Sequence, residues 1–377
     1  MKPFNPFLVS GYISGEFFCD RESETEKLLS YTKNRNNVTL ISARRLGKTG
    51  LIHHVFGKLK KDKTIDTLYI DIFATKSIED FIKNFSEAII DQYPQKTTIG
   101  KQFWEIIKRL RPLFGFDSLT GQTSLQITFQ TESEKTQTLK NILQFLEGQT
   151  KPIVVAIDEF QQILNYPDIN MEAVLRTEIQ HLQNVSFIFS GSKRQLMIEM
   201  FSNTKRPFYS SSIPMNLEKI EKNVYAKFIQ KNFEKYDFTI DDESLTFILD
   251  WSQNYTFYTQ FICNQLFSSS KKNIIVEDVK KICVEILELH TNTFIQIREL
   301  VTSAQWNYLI AIAKEKEVEK INAQDFLMKY GIGTPSNSRR LAKVLTEREL
   351  ILDELSMNKK VYRIYNIFFY HWLRENY

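Results

Sequence analysis

Over the first half of the chain, short continuous apolar runs alternate with amphipathic segments. The runs at 38–41 (VTLI), 67–72 (TLYIDI), 153–157 (IVVAI) and 185–189 (VSFIF) each predict a strand buried on both faces. Between them, 21–34 predicts a charged helix with Leu28 and Leu29 facing inward. A second helix is expected from about Thr49, and 77–91 carries apolar residues at helical spacing. This alternation predicts an α/β domain over residues 1–215, a parallel sheet with helices on both faces and right-handed crossovers. Residues 114–129, FGFDSLTGQTSLQITF, alternate around Gly121 and predict a hairpin inserted beside that sheet.

From 217 to 289 the pattern turns helical, with VYAKFIQKNF, SLTFILDW, FYTQFICNQLF and VKKICVEILEL as successive amphipathic segments. The last stretch predicts three helices, SAQWNYLIAIA, AQDFLMKY and SNSRRLAKVLTER, then two strands, LILDEL and KVYRIY, the order of a winged helix. The expected division is thus 1–215, a helical bundle over 216–295 and a winged helix over 296–377. No repeat of 20–50 residues and no low-complexity stretch competes with it.

A length of 377 residues agrees with two or three domains. Charge alters the picture little: 49 Lys and Arg against 45 Asp and Glu leave a net +4, so any basic site must be local. Cys19, Cys263 and Cys283 are too widely spaced for a disulfide framework or a zinc pattern, which predicts reduced thiols and a cytoplasmic protein. The first residues, MKPFNPFLVSGYISGEFF, lack the layout of a secretion signal, and no apolar run reaches membrane-spanning length, so no membrane partner is expected.

Chemistry concentrates in three places. Ser42, Ala43, Arg44, Arg45, Leu46, Gly47, Lys48 and Thr49, followed by Gly50, lie between the VTLI strand and a helix, the setting of a phosphate-binding loop. Backbone N–H groups of such a loop wrap a phosphate, the Lys48 ammonium neutralises β- and γ-phosphates, and the Thr49 hydroxyl ligates Mg²⁺. Ser42 stands where the motif usually has its first glycine, and the competing reading is a chance Gly-Lys-Thr at a helix start.

The second place is IVVAI followed by Asp158 and Glu159. Ligands of open α/β sheets bind at the C-terminal strand edge, which would bring Asp158 to the magnesium shell and Glu159 to the attacking water. A solvated acidic turn is the plainer alternative. The third is the VSFIF strand ending in Ser190, Gly191 and Ser192; either serine suits a γ-phosphate or water contact, or a helix cap. Arg176 and Arg206 are candidate γ-phosphate arginines, each as well explained by an ion pair.

With these segments in place the chain resembles the P-loop ATPases of the AAA+ and STAND superfamily, and most of all the archaeal-type AAA family ATPases with a helical lid and a C-terminal winged helix. The resemblance runs through Phe18 to Glu22, Arg44 to Thr49, Ile157 to Gln161, Phe187 to Ser192 and Lys205 to Tyr209. It implies ATP as nucleotide, with Lys48, Thr49, Asp158 and Glu159 holding Mg-ATP and activating water. It also implies that Phe18 and Arg21 lie near the adenine, that Ser190 senses the γ-phosphate, and that Arg206 acts in cis or from a neighbouring subunit. In the lid, Asn254-Tyr255-Thr256 replaces the Gly-aromatic/His-Pro step that relatives tend to have.

In the winged helix, Arg339, Arg340 and Lys343 fall within about one helical turn, with Lys359 and Lys360 at the hairpin tip and Glu347, Glu349, Asp353 and Glu354 close by. DNA and a protein partner suit that surface equally. The five histidines show no ligand spacing. The expected function is an ATP-hydrolysing switch that couples Mg-ATP turnover to conformational change of the winged helix; the alternative is a nucleotide-regulated scaffold or DNA-binding regulator with negligible hydrolysis.

Overall fold

The computed structural model describes residues 5–108, 113–116, 123–126, 129, 131–167, 169–356 and 359–377. They form two compact units, Ser10–Glu221 and Met1–Val9 with Lys222–Tyr377. In the first unit the elements run α1 (Glu22–Lys33), β1 (Val38–Ile41), α2 (Lys48–Asp62), β2 (Asp66–Asp71), α3 (Ile78–Gln92), α4 (Thr98–Lys108), β3 (Leu113–Phe116), β4 (Thr123–Gln126), α5 (Glu132–Glu147), β5 (Ile153–Asp158), α6 (Met171–Ile179), β6 (Val185–Gly191), α7 (Arg194–Ser202) and β7 (Ile213–Asn216).

Five strands make one parallel sheet in the order β2-β5-β6-β1-β7. All residues of β5 and β6 are buried, as strands covered on both faces require. Alternate residues serve opposite cores: Val155, Ile157, Phe187 and Phe189 pack with α3, α5, α6 and α7, whereas Val154, Ala156 and Ile188 pack with α1 and α2. The fifth strand, Ile-Pro-Met-Asn, carries no continuous apolar run. It lies at the sheet edge, where Pro214 costs little because part of the ladder is unpaired there. The expected hairpin exists as β3 antiparallel to β4; Gly121 lies outside the described residues.

Caps set several helix starts. Ser77 accepts from the Asp80 N–H at α3, and Thr131 accepts from the Glu134 N–H at α5.

The second unit continues with α8 (Lys222–Glu234), β8 (Thr239–Ile240), α9 (Asp242–Trp251), α10 (Thr256–Ser268), β9 (Asn273–Ile274), α11 (Val276–Leu300), α12 (Ser303–Glu315), α13 (Gln324–Lys329), α14 (Pro335–Glu347), β10 (Ile351–Ser356), β11 (Lys359–Ile364) and α15 (Ile367–Asn376). The three helices α12 to α14 followed by the antiparallel pair β10 and β11 are a winged helix. A bridge between Val318 and Tyr362 adds the α12–α13 connection to the wing. Inside it the Tyr308 and Ser338 hydroxyls lie 3.0 Å apart, and Ser338 donates to the Ile321 carbonyl at 2.6 Å, so these buried hydroxyls are satisfied. Helix α15 brings Phe368, Phe369 and Trp372 against Trp251, Phe294 and Trp306.

His371 on α15 stacks on Trp251 at 4.0 Å and donates its Nε2–H to the Trp251 carbonyl at 2.9 Å. Burial pushes its pKa down to about 4. An unfolded histidine titrates near 6.5, so between those values the unfolded chain takes up a proton that the folded chain refuses. Stability should therefore fall as pH drops from about 6.5 to about 4, by roughly 3 kcal/mol. Thermal unfolding of wild type and His371→Gln across that range checks it: the variant should lose this part of the slope.

Candidate nucleotide site

The sheet register assembles the site. Leu40 and Ile41 at the end of β1 pair with Ser190 and Gly191 on β6, Ile157 on β5 pairs with Phe189, and Asp158 pairs with Asp71 on β2. The loop after β1 and the acids after β5 thus reach the same C-terminal edge with only β6 between them.

The loop enters α2 through Gly47, whose φ of 91° favours glycine, and Arg45 is also left-handed at 68°. Ser42 lies outside that region, which explains how serine replaces the usual glycine; its hydroxyl donates to the Ala43 carbonyl at 2.8 Å. Arg21 fastens the loop from outside: buried, it donates to Glu24 at 2.7 Å, to the Leu46 carbonyl at 3.4 Å and to the Glu218 carbonyl at 2.6 Å. Phe18 stacks on His54 at 4.5 Å and packs over Gly50, where a Cβ would come within 3.3 Å of its ring.

Lys48 opens α2 with only 7% of its surface exposed. Burial pulls its pKa down, against the opposing pull of the Glu159 and Asp158 carboxylates. Thr49 donates its hydroxyl to Asp158 Oδ2 at 2.7 Å; Tyr69 donates to the same oxygen at 3.0 Å, and the Glu159 N–H to Oδ1 at 3.0 Å. Glu159 itself has φ 56°, a strained conformation for a residue with a side chain and one that concentrates at functional sites. Its Oε2 accepts from Ser192 at 2.6 Å and from Gln161 Nε2 at 2.6 Å, and Arg44 Nε donates to Ser192 at 3.0 Å. Ser190 is fully buried, and its hydroxyl has no hydrogen-bond partner among the described residues.

A buried ammonium beside two carboxylates, a hydroxyl–carboxylate pair and an unpartnered buried hydroxyl fit a polyphosphate with a divalent cation. Lys48, Thr49, Asp158 and Glu159 come together, with Arg44 linked to them through Ser192. Arg206 is in an ion pair with Glu172 at 2.6 Å, on a segment anchored by Phe208, whose ring packs 5.2 Å from Phe160. Tyr69, Asp71 and Gln161 escaped the sequence reading. Alternation along the strand places Tyr69 and Asp71 on one face, but nothing in the sequence says that this face meets Asp158, which follows only from the β2–β5 register. Asp71 is exposed at the strand end, yet desolvation there raises its carboxyl pKa, with the Asp158 and Glu159 charges adding to the shift and the Phe73 N–H opposing it.

The family described as an ATPase domain predominantly from Archaea matches residues 18–253, more than half of the chain. This chain belongs to that family. The archaeal-type ATPase domain is followed by a match to a family described as "Probable winged helix domain" at residues 292–375. Among solved structures, the Walker-type ATPase PABY2304 of Pyrococcus abyssi is 17% identical with a TM-score of 0.66, covering 98% of this chain and 99% of that one. The Aeropyrum pernix ORC2 protein in ADPNP-ADP complexes is 15% identical with a TM-score of 0.60, over 98% and 96%. The Aeropyrum pernix ORC1 protein in complex with DNA is 11% identical with a TM-score of 0.54, over 95% and 93%. At these identities the likeness is one of fold. No curated protein matches the chain. Among the described residues of this chain, no helix is long and apolar enough to cross a membrane.

Proposed function

We propose that this chain binds Mg-ATP on the 42–49 loop, hydrolyses it to ADP and phosphate, and uses the resulting conformational change to act on DNA or a protein partner through its winged helix. The observation that carries this reading is the 2.7 Å Thr49–Asp158 hydrogen bond beside the buried Lys48. ADPNP and ADP in the ORC2 structure support the nucleotide, and DNA in the ORC1 structure supports the partner.

In this reading Lys48 takes phosphate charge, Thr49 offers a hydroxyl oxygen to the metal while its O–H keeps donating to Asp158, and Ser190 hydrogen-bonds the terminal phosphate. Phe18 serves the base. Glu159 accepts the proton of the attacking water. Magnesium, when bound, screens the phosphate oxygens and the charge of the leaving group. Arg206 would have to leave Glu172 to reach a phosphate. We assign the ATPase core to 1–215, a helical lid to 216–295 and the winged helix to 296–377.

A second reading, a nucleotide-held scaffold with negligible turnover, is favoured by one observation: Ser192 and Gln161 both occupy Glu159 Oε2. Phosphate release with and without DNA, alongside thermal shift with Mg-ATP, separates the two. The switch predicts turnover; the scaffold predicts stabilisation alone.

Arg339, Arg340 and Lys343 are exposed on α14, with Arg340 donating to Asn337 and Lys343 3.9 Å from Glu347. The wing cations are engaged: Lys359 pairs with Glu319, Lys360 with Asp353, and Arg363 with Glu317 and Glu354. We place the DNA contact on α14, where the three exposed cations fall within about one helical turn. Changing its three cations to alanine should flatten the log–log dependence of DNA affinity on salt by about 2–3. An unchanged slope in a binding titration would point to a protein partner instead.

A further inference from the structure

Tyr69 stands on β2 opposite Ala156, and its hydroxyl reaches diagonally to Asp158, two residues further along β5. Only a long side chain spans such a diagonal. Its ring also packs 4.5 Å from that of His53, which lies one turn after Thr49 on the same face of α2. Three donors hold the Asp158 carboxylate: Thr49 and Tyr69 on Oδ2, and the Glu159 N–H on Oδ1. A carboxylate gripped through both oxygens cannot rotate about its last bond. A threonine hydroxyl has one proton and two lone pairs, so drawing the proton to Asp158 turns the lone pairs toward a cation.

We propose that Tyr69 is a positioning residue for the divalent cation, fixing Asp158 so that the Thr49 O–H stays aimed at the carboxylate and its lone pairs stay free for the metal. This rests on the Mg-ATP reading above. Tyr69 touches neither phosphate nor metal; it acts through Asp158, as partners one shell out from a metal orient the groups that bind it.

The test uses the full chain, with mant-ADP fluorescence as probe, first in EDTA and then titrated with Mg²⁺. Tyr69→Phe keeps the ring and removes the donor. It should bind metal-free mant-ADP within about twofold of wild type, while the Mg²⁺ concentration for half-maximal tightening rises about tenfold, the lower end of what such partners contribute. Thr49→Ala should raise that midpoint further, and Thr49→Ala/Tyr69→Phe should raise it no more than Thr49→Ala alone, because Tyr69 acts through the bond that Thr49 makes. An unchanged midpoint in Tyr69→Phe overturns the assignment, as does an equal loss with and without metal, which would mark a merely structural role. A wild type that binds no mant-ADP overturns the nucleotide reading itself, and the assignment falls with it.

Discussion

Lys48→Ala is expected to lose about a hundredfold in affinity for Mg-ATP. Charge-assisted hydrogen bonds to buried ions contribute about 1.5–3 kcal/mol each, and about 1.4 kcal/mol is tenfold in affinity. The Lys48 ammonium is buried at the start of α2, where no flexible surface lysine can replace it. The same substitution should also lower the stability of the nucleotide-free protein, because it removes the cation beside the Asp158 and Glu159 carboxylates and leaves buried negative charge uncompensated. Calorimetric titration with Mg-ATP and thermal unfolding without it measure the two effects. Unaltered affinity for Mg-ATP in Lys48→Ala would remove Lys48 from the site.

Glu159→Gln is expected to lower steady-state phosphate release by about 10²–10⁴, the range for removing a general base. Glutamine matches glutamate in shape and retains an acceptor oxygen for Ser192 and Gln161, so the hydrogen bonds that hold the side chain persist. Nucleotide affinity should stay within a few-fold of wild type. That separation distinguishes a group acting on water from one holding phosphate.

Much of this arrangement was legible in the sequence because its determinants are local. The continuous apolar runs of β1, β5 and β6 can be buried only in a two-sided sheet, and Gly47-Lys48-Thr49 between a strand and a helix carries its own geometric requirement. The run in β2 predicts the same burial, but β2 is an edge strand, half-buried at Tyr69 and exposed at Asp71. The edge strand Ile213–Asn216 was not legible, since a four-residue stretch with a proline, in which only Met215 is buried, looks like a loop until β1 supplies a ladder. The grip on the acids was equally hidden. Tyr69 and Asp71 meet Asp158 only through the β2–β5 register, and Ser192 meets Glu159 through the turn after β6. Register is a long-range property that no window of sequence contains.

Turnover at the Asp158–Glu159 end of β5 of ATP held by Lys48 and Thr49 is tested by phosphate release from wild type and Glu159→Gln at saturating Mg-ATP, with thermal shift on the same samples. Wild type should release phosphate, Glu159→Gln should lose nearly all of that activity, and nucleotide should stabilise both proteins equally. Equal turnover by the two proteins, or a wild type that Mg-ATP does not stabilise, would overturn this mechanism.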